Sequence, residues 1–368
     1  MEMNTKLGGY LIGYGIKKKN GEIKQVIFDK PIHNTITKHC LNNLLTFDGT
    51  DTTPTGNYLG NYLSLFVKSS QASERYGVFN SSALGDGTGS TNTNDEDLKH
   101  RVSNCTSVKK TGSGWCGTYT DLYPNSIIRL RISHKHTITD SFTVKEIGWY
   151  NENYTNHQYL MTARVILDEP VPVEAGEEFY SIYELHLTVD PRTKFNIAGY
   201  EGIKEAFGVP CRATYAYDTQ NYFPTHNENC IPSIGDKMDK SCSFFPIYLA
   251  TRSANPYNGA YEKQNWLKDP GLKTDAPGSY WYTTSNFNAL NYTANVKPYV
   301  ADSFYRDVDF VFSQTWSTDL WGFAFLGTLY RFGTFSGDTF TPSTVQIDSA
   351  LKITVRQSWS TDQLAPSV

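Results

Sequence analysis

The sequence predicts an all-β protein, with two antiparallel β-sandwich or jelly-roll-like domains and one short helix near residues 35–46. Three observations carry this expectation. Aromatic residues are 14% of the 368, including 25 Tyr and 20 Phe, and these types with Thr suit a pleated, half-buried surface. Gly and Asn, which serve turns, are plentiful throughout. Apolar residues recur at every second position in several short runs, which is the strand period rather than the helical one.

The elements follow in order. Residues 10–17 and 22–29 are strand-like and flank Asn20-Gly21, a hairpin signal because that dipeptide accepts the positive φ of a tight turn. The helix comes next: Asn34 or Thr35 caps it, and Ile36, Cys40, Leu41, Leu44 and Leu45 recur at helical spacing. A Thr/Gly-rich loop leads to a strand over residues 62–68, with Leu63, Leu65 and Val67 on one face. Residues 85–98 contain no large apolar side chain before Leu98, which places them on the surface.

Ile128, Leu130 and Ile132 alternate with Arg129 and Arg131 in a half-buried strand. Phe142 and Val144 begin another, but the alternation slips at Glu146, so a bulge or turn is expected at Ile147-Gly148. Met161, Ala163, Val165 and Leu167 make a third buried face, and Tyr183, Leu185, Leu187 and Val189 a fourth. Glu174-Ala175-Gly176-Glu177 supplies the turn between them. Asp190-Pro191-Arg192 is the expected boundary between a docking domain, 1–190, and an aromatic, loop-rich β domain for interaction, 191–368. In the latter, strands are expected over residues 308–313, 322–330 and 344–356, the last with Val345, Ile347, Leu351, Ile353 and Val355 on one face.

Composition excludes several classes of function. A net charge of −4 does not suit a nucleic-acid binder, which needs a basic stripe to displace counterions from phosphates. Lys17-Lys18-Lys19 and Lys109-Lys110 sit beside turn residues and read as solvated turns. No run approaches the ~18 apolar residues of a membrane span. The amino terminus carries no export signal, so synthesis in a cytoplasm and six reduced cysteines are expected.

Candidate chemistry is sparse. Neither a Gly-x-Ser-x-Gly elbow nor a His-Glu-x-x-His helix occurs, and none of Glu201, Glu205, Asp302, Asp307 and Asp309 is singled out as a catalytic carboxylate. No enzymatic activity and no cofactor are expected. Asp86, Asp95, Glu96 and Asp97 supply oxygen ligands without the spacing of a calcium loop. His134 and His136 share a strand face, yet two ligands do not complete a metal site; an exposed polar face is the expectation, with no metal. Trp149, Tyr150, Trp266, Tyr280, Trp281 and Tyr282 are the candidate interaction residues, because Trp and Tyr fill protein interfaces and stack on sugar rings.

Three groups of residues resemble one family pattern. Gly85-Asp86-Gly87-Thr88 precedes a Ser/Thr-rich stretch and Asp95-Glu96-Asp97-Leu98. Val144-Lys145-Glu146-Ile147-Gly148-Trp149 follows. Ala163-Arg164, residues 170–173 with Gly176-Glu177, and the run 183–189, opening on Tyr183 where the pattern has a Tyr-rich strand, complete it. In this order and spacing, residues 13–189 resemble virion structural proteins of tailed bacteriophages, although the proline usual after the glycine-threonine loop is missing. The resemblance implies a component of the tail, collar, baseplate or fibre-attachment region, made in the host cytoplasm and built into the virion. It implies a homo-oligomer that contacts other virion proteins such as portal, tail or fibre. The alternative is a receptor-binding fibre or spike module that recognises host glycan.

Overall fold

The computed structural model describes residues 2–46, 79, 81–102, 105–108, 116–121, 127–153, 158–190, 192–195, 204–210, 216–217, 224–225, 248–251, 292–312, 318–325, 328–336, 339–343, 345–347 and 352–367. In chain order the elements are β1 (Glu2–Lys17), β2 (Ile23–His33), β3 (Thr35–Ile36), α1 (Lys38–Thr46), β4 (Ser81–Gly85), β5 (Cys105–Val108), β6 (Cys116–Asp121), β7 (Ile127–Ile138), β8 (Phe142–Asn153), β9 (Gln158–Val173) and β10 (Glu178–Val189). There follow β11 (Arg192–Phe195), β12 (Lys204–Pro210), β13 (Ala216–Tyr217), β14 (Pro224–Thr225), β15 (Tyr248–Thr251), β16 (Tyr292–Val296), β17 (Tyr305–Phe312), β18 (Thr318–Phe325), β19 (Thr328–Ser336), β20 (Thr339–Pro342), β21 (Val345–Ile347) and β22 (Lys352–Ser360). The fold is all-β, with one short helix among the described residues. The strand expected over residues 62–68 lies outside the described residues.

Among the described residues, the largest sheet has nine strands in the order β16-β17-β22-β1-β10-β7-β5, with β2 beside β1 and β6 beside β7. A four-stranded sheet, β3-β9-β8-β4, packs on it. A seven-stranded sheet runs β11-β12-β19-β18-β15, with β20 and β21 attached to β19 and β18. The boundary expected at Asp190-Pro191-Arg192 falls between β10 of the nine-stranded sheet and β11 of the seven-stranded one. The chain then returns to the first sheet through β16, β17 and β22, the last pairing parallel with β1 from Glu2↔Arg356 to Lys6↔Ser360.

The opening hairpin forms as expected. Lys18 and Glu22 close a three-residue turn through a 2.7 Å backbone bond, and Gly21 takes φ 83°, which glycine adopts without steric cost. The helix starts later than its caps predicted. Thr35 and Ile36 are β-branched and pair with Arg164 and Ala163 in β3, so the strand claims them first. Thr37 then precedes the helix, its Oγ1 donating to Met161 O at 2.5 Å. The far end of the helix is held by the C-terminal region: Arg306 Nη1 donates to Leu45 O at 2.5 Å, and Asn42 exchanges bonds with Asp302 and Tyr299. Asp302 and Phe304 take positive φ, 62° and 56°, in that clasp.

Two strand expectations are corrected. The run 322–330 is two antiparallel strands, β18 and β19, with Phe325 opposite Thr328. Val345 and Ile347 pair in the seven-stranded sheet while Ile353 and Val355 lie buried in the nine-stranded one. Period-two alternation continues across a break in a strand, so it does not register the change of sheet. The bulge also moves: Ile147 and Gly148 pair regularly with Val165 and Arg164, and the register shifts on either side, between Val144 and Glu146 and between Trp149 and Tyr150. Near the first, Pro170 has no N–H to give the ladder, which interrupts pairing there.

The core lies between the nine- and four-stranded sheets. Leu7, Leu11, Tyr183 and Leu185 from one meet Ile147, Trp149, Ala163 and Val165 from the other, all buried. Trp149 stacks on Tyr183 at 4.2 Å between ring centroids, and Asn34 Nδ2 donates to the Tyr183 hydroxyl at 2.6 Å.

Candidate functional site

The chain after Gly85, the strand around Glu146 and Arg164 meet at one buried ionic cluster. Consecutive side chains of a strand point to opposite faces, so Ile147 and Trp149 enter the core while Glu146 and Tyr150 reach the other side of the four-stranded sheet. There the chain from Asp86 to His100 covers them. Arg164, on β9, donates from Nε to Glu146 Oε2 at 2.8 Å and from Nη1 to Asp95 Oδ2 at 2.9 Å and Ser90 O at 3.1 Å. Its Nη2 lies 2.7 Å from the same Glu146 oxygen but off the hydrogen-bond direction. Neither Glu146 nor Arg164 is exposed to solvent at all.

Glu146 is saturated. Its Oε1 accepts the His100 N–H at 2.9 Å, and its Oε2 accepts the Lys99 N–H at 3.3 Å besides Arg164. Gly85 and Gly87 are glycines because this carboxylate sits against their backbone. A Cβ on Gly85 would lie 2.7 Å from Glu146 Oε1, and one on Gly87 would overlap that oxygen and come within 2.6 Å of His100 N. Asp95 accepts the Asn92 N–H at 2.9 Å and meets Lys99 Nζ at 3.2 Å. Burial pushes its carboxyl up, and the bonds from Arg164, Asn92 and Lys99 outweigh that and hold it below the ordinary aspartate value. Leu98 closes the apolar side by packing with Ala83, Tyr150 and Met161.

The loop therefore corrects its surface assignment in part. Residues 88–90 are exposed, while Gly87, Asp95 and Leu98 are buried. A loop so polar turns inward because Arg164 offers a buried counter-charge, and buried charges persist when paired and hydrogen-bonded. The loop also meets the helix: Thr93 O accepts the Lys38 N–H at 2.9 Å, taking a donor that a helix start leaves unmatched.

Tyr150 donates its hydroxyl proton to Asp97 Oδ1 at 2.5 Å and is buried beneath the Arg101 guanidinium, 5.0 Å from the ring centroid. Trp149 is fully buried. Both were expected as interaction residues; both serve the packing of the four-stranded sheet, because β8 is covered on its two faces. Trp266, Tyr280, Trp281 and Tyr282 lie outside the described residues.

His134 and His136 are likewise buried rather than exposed. They point from β7 into the space between the sheets, where His134 Nε2 donates to Phe79 O at 3.0 Å and His136 Nε2 shares a 2.7 Å hydrogen bond with Ser82 Oγ. Burial, with His134 and Arg101 nearby, pushes the His136 imidazole down to about 3. A Ser–His pair is the start of a nucleophilic dyad, but a base so weakened does not take a serine proton near neutrality, and Ser82 is itself buried. The pair is an inter-sheet bond.

Of the carboxylates weighed for catalysis, Glu201 lies outside the described residues, and Asp302, Asp307 and Asp309 are each engaged by another side chain. Asp309 meets Lys297 at 2.9 Å and Lys352 at 3.1 Å, and Asp307 pairs with Arg356. Asp302 holds Asn42. Asp86 pairs with His100 at the surface. Among the described residues no three His, Cys, Asp or Glu side chains gather as metal ligands, and no helix is long and apolar enough to cross a membrane. Sequence reading placed Glu146 and Arg164 in the pattern but missed their pairing; the signal was a carboxylate and a guanidinium each interrupting a run of buried positions. Compared with family models, curated proteins and solved structures, the chain matches none of them.

Proposed function

We propose that this chain is a structural component of a tailed-phage virion, acting by oligomeric assembly and subunit contacts at the tail, collar or baseplate. The observation that supports it most is convergence. The glycine-threonine loop, the Val-x-Glu-Ile-Gly-aromatic strand and the Ala-Arg strand are among the residues that resemble such proteins, and these three build the Glu146–Arg164–Asp95 cluster. That cluster has the chemistry of a fastening: every carboxylate oxygen of Glu146 is taken by a protein donor. It fixes a long loop against a sheet and leaves no group for catalysis.

In this reading the nine- and four-stranded sheets form the docking sandwich, and the seven-stranded sheet belongs to a second, jelly-roll-like part that meets another subunit or the host. No metal or cofactor enters the proposal. The test is native mass and electron microscopy of the purified protein, followed by mixing with phage particles that lack it. Rings, trimers or other closed oligomers that incorporate into particles are the expected result. A protein that stays monomeric and binds no particle refutes it, and tight binding of a host glycan by that monomer would favour the receptor-binding alternative.

A further inference from the structure

We propose that the β1–β2 hairpin arm docks on the 86–97 loop of a second copy of this chain, joining copies head to tail; this rests on the assembly reading above. Among the described residues β2 pairs only with β1, and none of its residues is buried. Ile27 is 54% exposed and Ile23 38%, two of the three exposed large apolar side chains among the described residues. Around them the charge is positive. Residues 17–33 hold five lysines against Glu22 and Asp29; Lys17 and Lys18 are met by Glu178 and Glu177, while Lys19, Lys24 and Lys30 project into solvent.

The loop has the opposite character. Residues 86–98 contain four acids and no basic residue, and Lys99, His100 and Arg101 follow directly. Asp95 turns inward to Arg164, Asp86 pairs with His100 and Asp97 Oδ1 accepts the Tyr150 hydroxyl, so the exposed Glu96 and the second oxygen of Asp97 carry the outward charge. The loop covers the face of the four-stranded sheet turned away from the nine-stranded sheet, whereas β2 belongs to the nine-stranded sheet. The two complementary patches thus lie on different sides of one subunit. A contact between different patches of identical subunits is heterologous and propagates into a ring or a filament.

Pairing of β2 with a second β2 is disfavoured by the strand itself. Leu11 pairs with Ile32 and Gly13 with Ile27, so residues 28–31 bulge out of the ladder. Pro31 gives no N–H, and in an antiparallel pair centred on Ile27 each Lys24 would face a Lys30. Bulge, proline and edge lysines are the devices that keep edges from joining.

The experiment is sedimentation and native mass of full-length protein over a concentration series at low and high salt, with charge exchange. Wild type is expected to self-associate, less at high salt. K24E and E96K are each expected to raise the dissociation constant about tenfold or more, and the double variant K24E/E96K to recover association. I27D is expected to weaken it with an unchanged far-ultraviolet circular dichroism spectrum. A wild type that assembles while K24E, E96K and I27D leave its mass unaltered overturns the docking and spares the assembly reading. A wild type that is monomeric throughout overturns the docking, and one that also binds no phage particle overturns the assembly reading with it.

Discussion

Replacing Glu146 by glutamine changes one atom at the centre of the buried cluster, and its cost can be worked from the bonds present. Glu146 Oε1 faces the His100 N–H, and Oε2 faces Arg164 Nε and the Lys99 N–H. A glutamine amide has one acceptor and one donor end. Either orientation turns an NH2 group toward a backbone or guanidinium N–H, so one set of bonds is lost and two donors oppose each other. Arg164 also keeps only Asp95 as counter-charge. Removing one partner of a buried ion pair costs about 3–5 kcal/mol, a large part of the roughly 5–15 kcal/mol that holds a domain folded. Urea unfolding of wild type and Glu146→Gln, followed by circular dichroism with the slope checked for constancy, measures it. Pairing Glu146→Leu with Arg164→Met in a double-mutant cycle separates the ion pair from the packing; the two together should cost less than the sum of the singles by about 2 kcal/mol or more. A loss below about 1 kcal/mol for Glu146→Gln with additive singles would refute the reasoning, because a buried pair cannot be both essential and uncoupled.

Gly87→Ala drives a methyl group into Glu146 Oε1 and is expected to destabilise by about 1–3 kcal/mol, with faster hydrogen exchange over residues 86–100 as the local readout. Trp149→Ala removes the ring stacked on Tyr183; a loss of about 3–5 kcal/mol, seen in urea unfolding together with a weakened near-ultraviolet spectrum, is expected of a core residue and not of an interface one. Because burial holds His136 down at about 3, below its ordinary 6.5, the unfolded chain takes up that proton first; its contribution is full above pH 6.5 and is lost as pH falls toward 3. Stability of His136→Gln measured between those values should therefore fall less steeply than that of wild type. Burial also raises the Cys40 thiol well above its ordinary value, so that thiol should react with a disulfide reagent only after unfolding.

The sequence by itself determined the strand content, the opening hairpin and the buried faces at Met161, Ala163, Val165 and Leu167, because side chains on a strand alternate and burial selects apolar ones along one face. What it did not contain was which distant residues meet. Glu146 read as a slip in an alternation and Arg164 only as the residue after Ala163; each is a buried charge because β8 and β9 pair and the chain from Asp86 to His100 closes over them. His134 and His136 read as a solvated face for the same reason, since the face they share is polar locally and is buried by β4, a strand some fifty residues earlier. The return of β22 to lie parallel beside β1 left no local mark, because alternation is a property of single strands. Pairing between remote strands is decided by the burial of whole faces and by the meeting of opposite charges, and these exist only once the chain is folded.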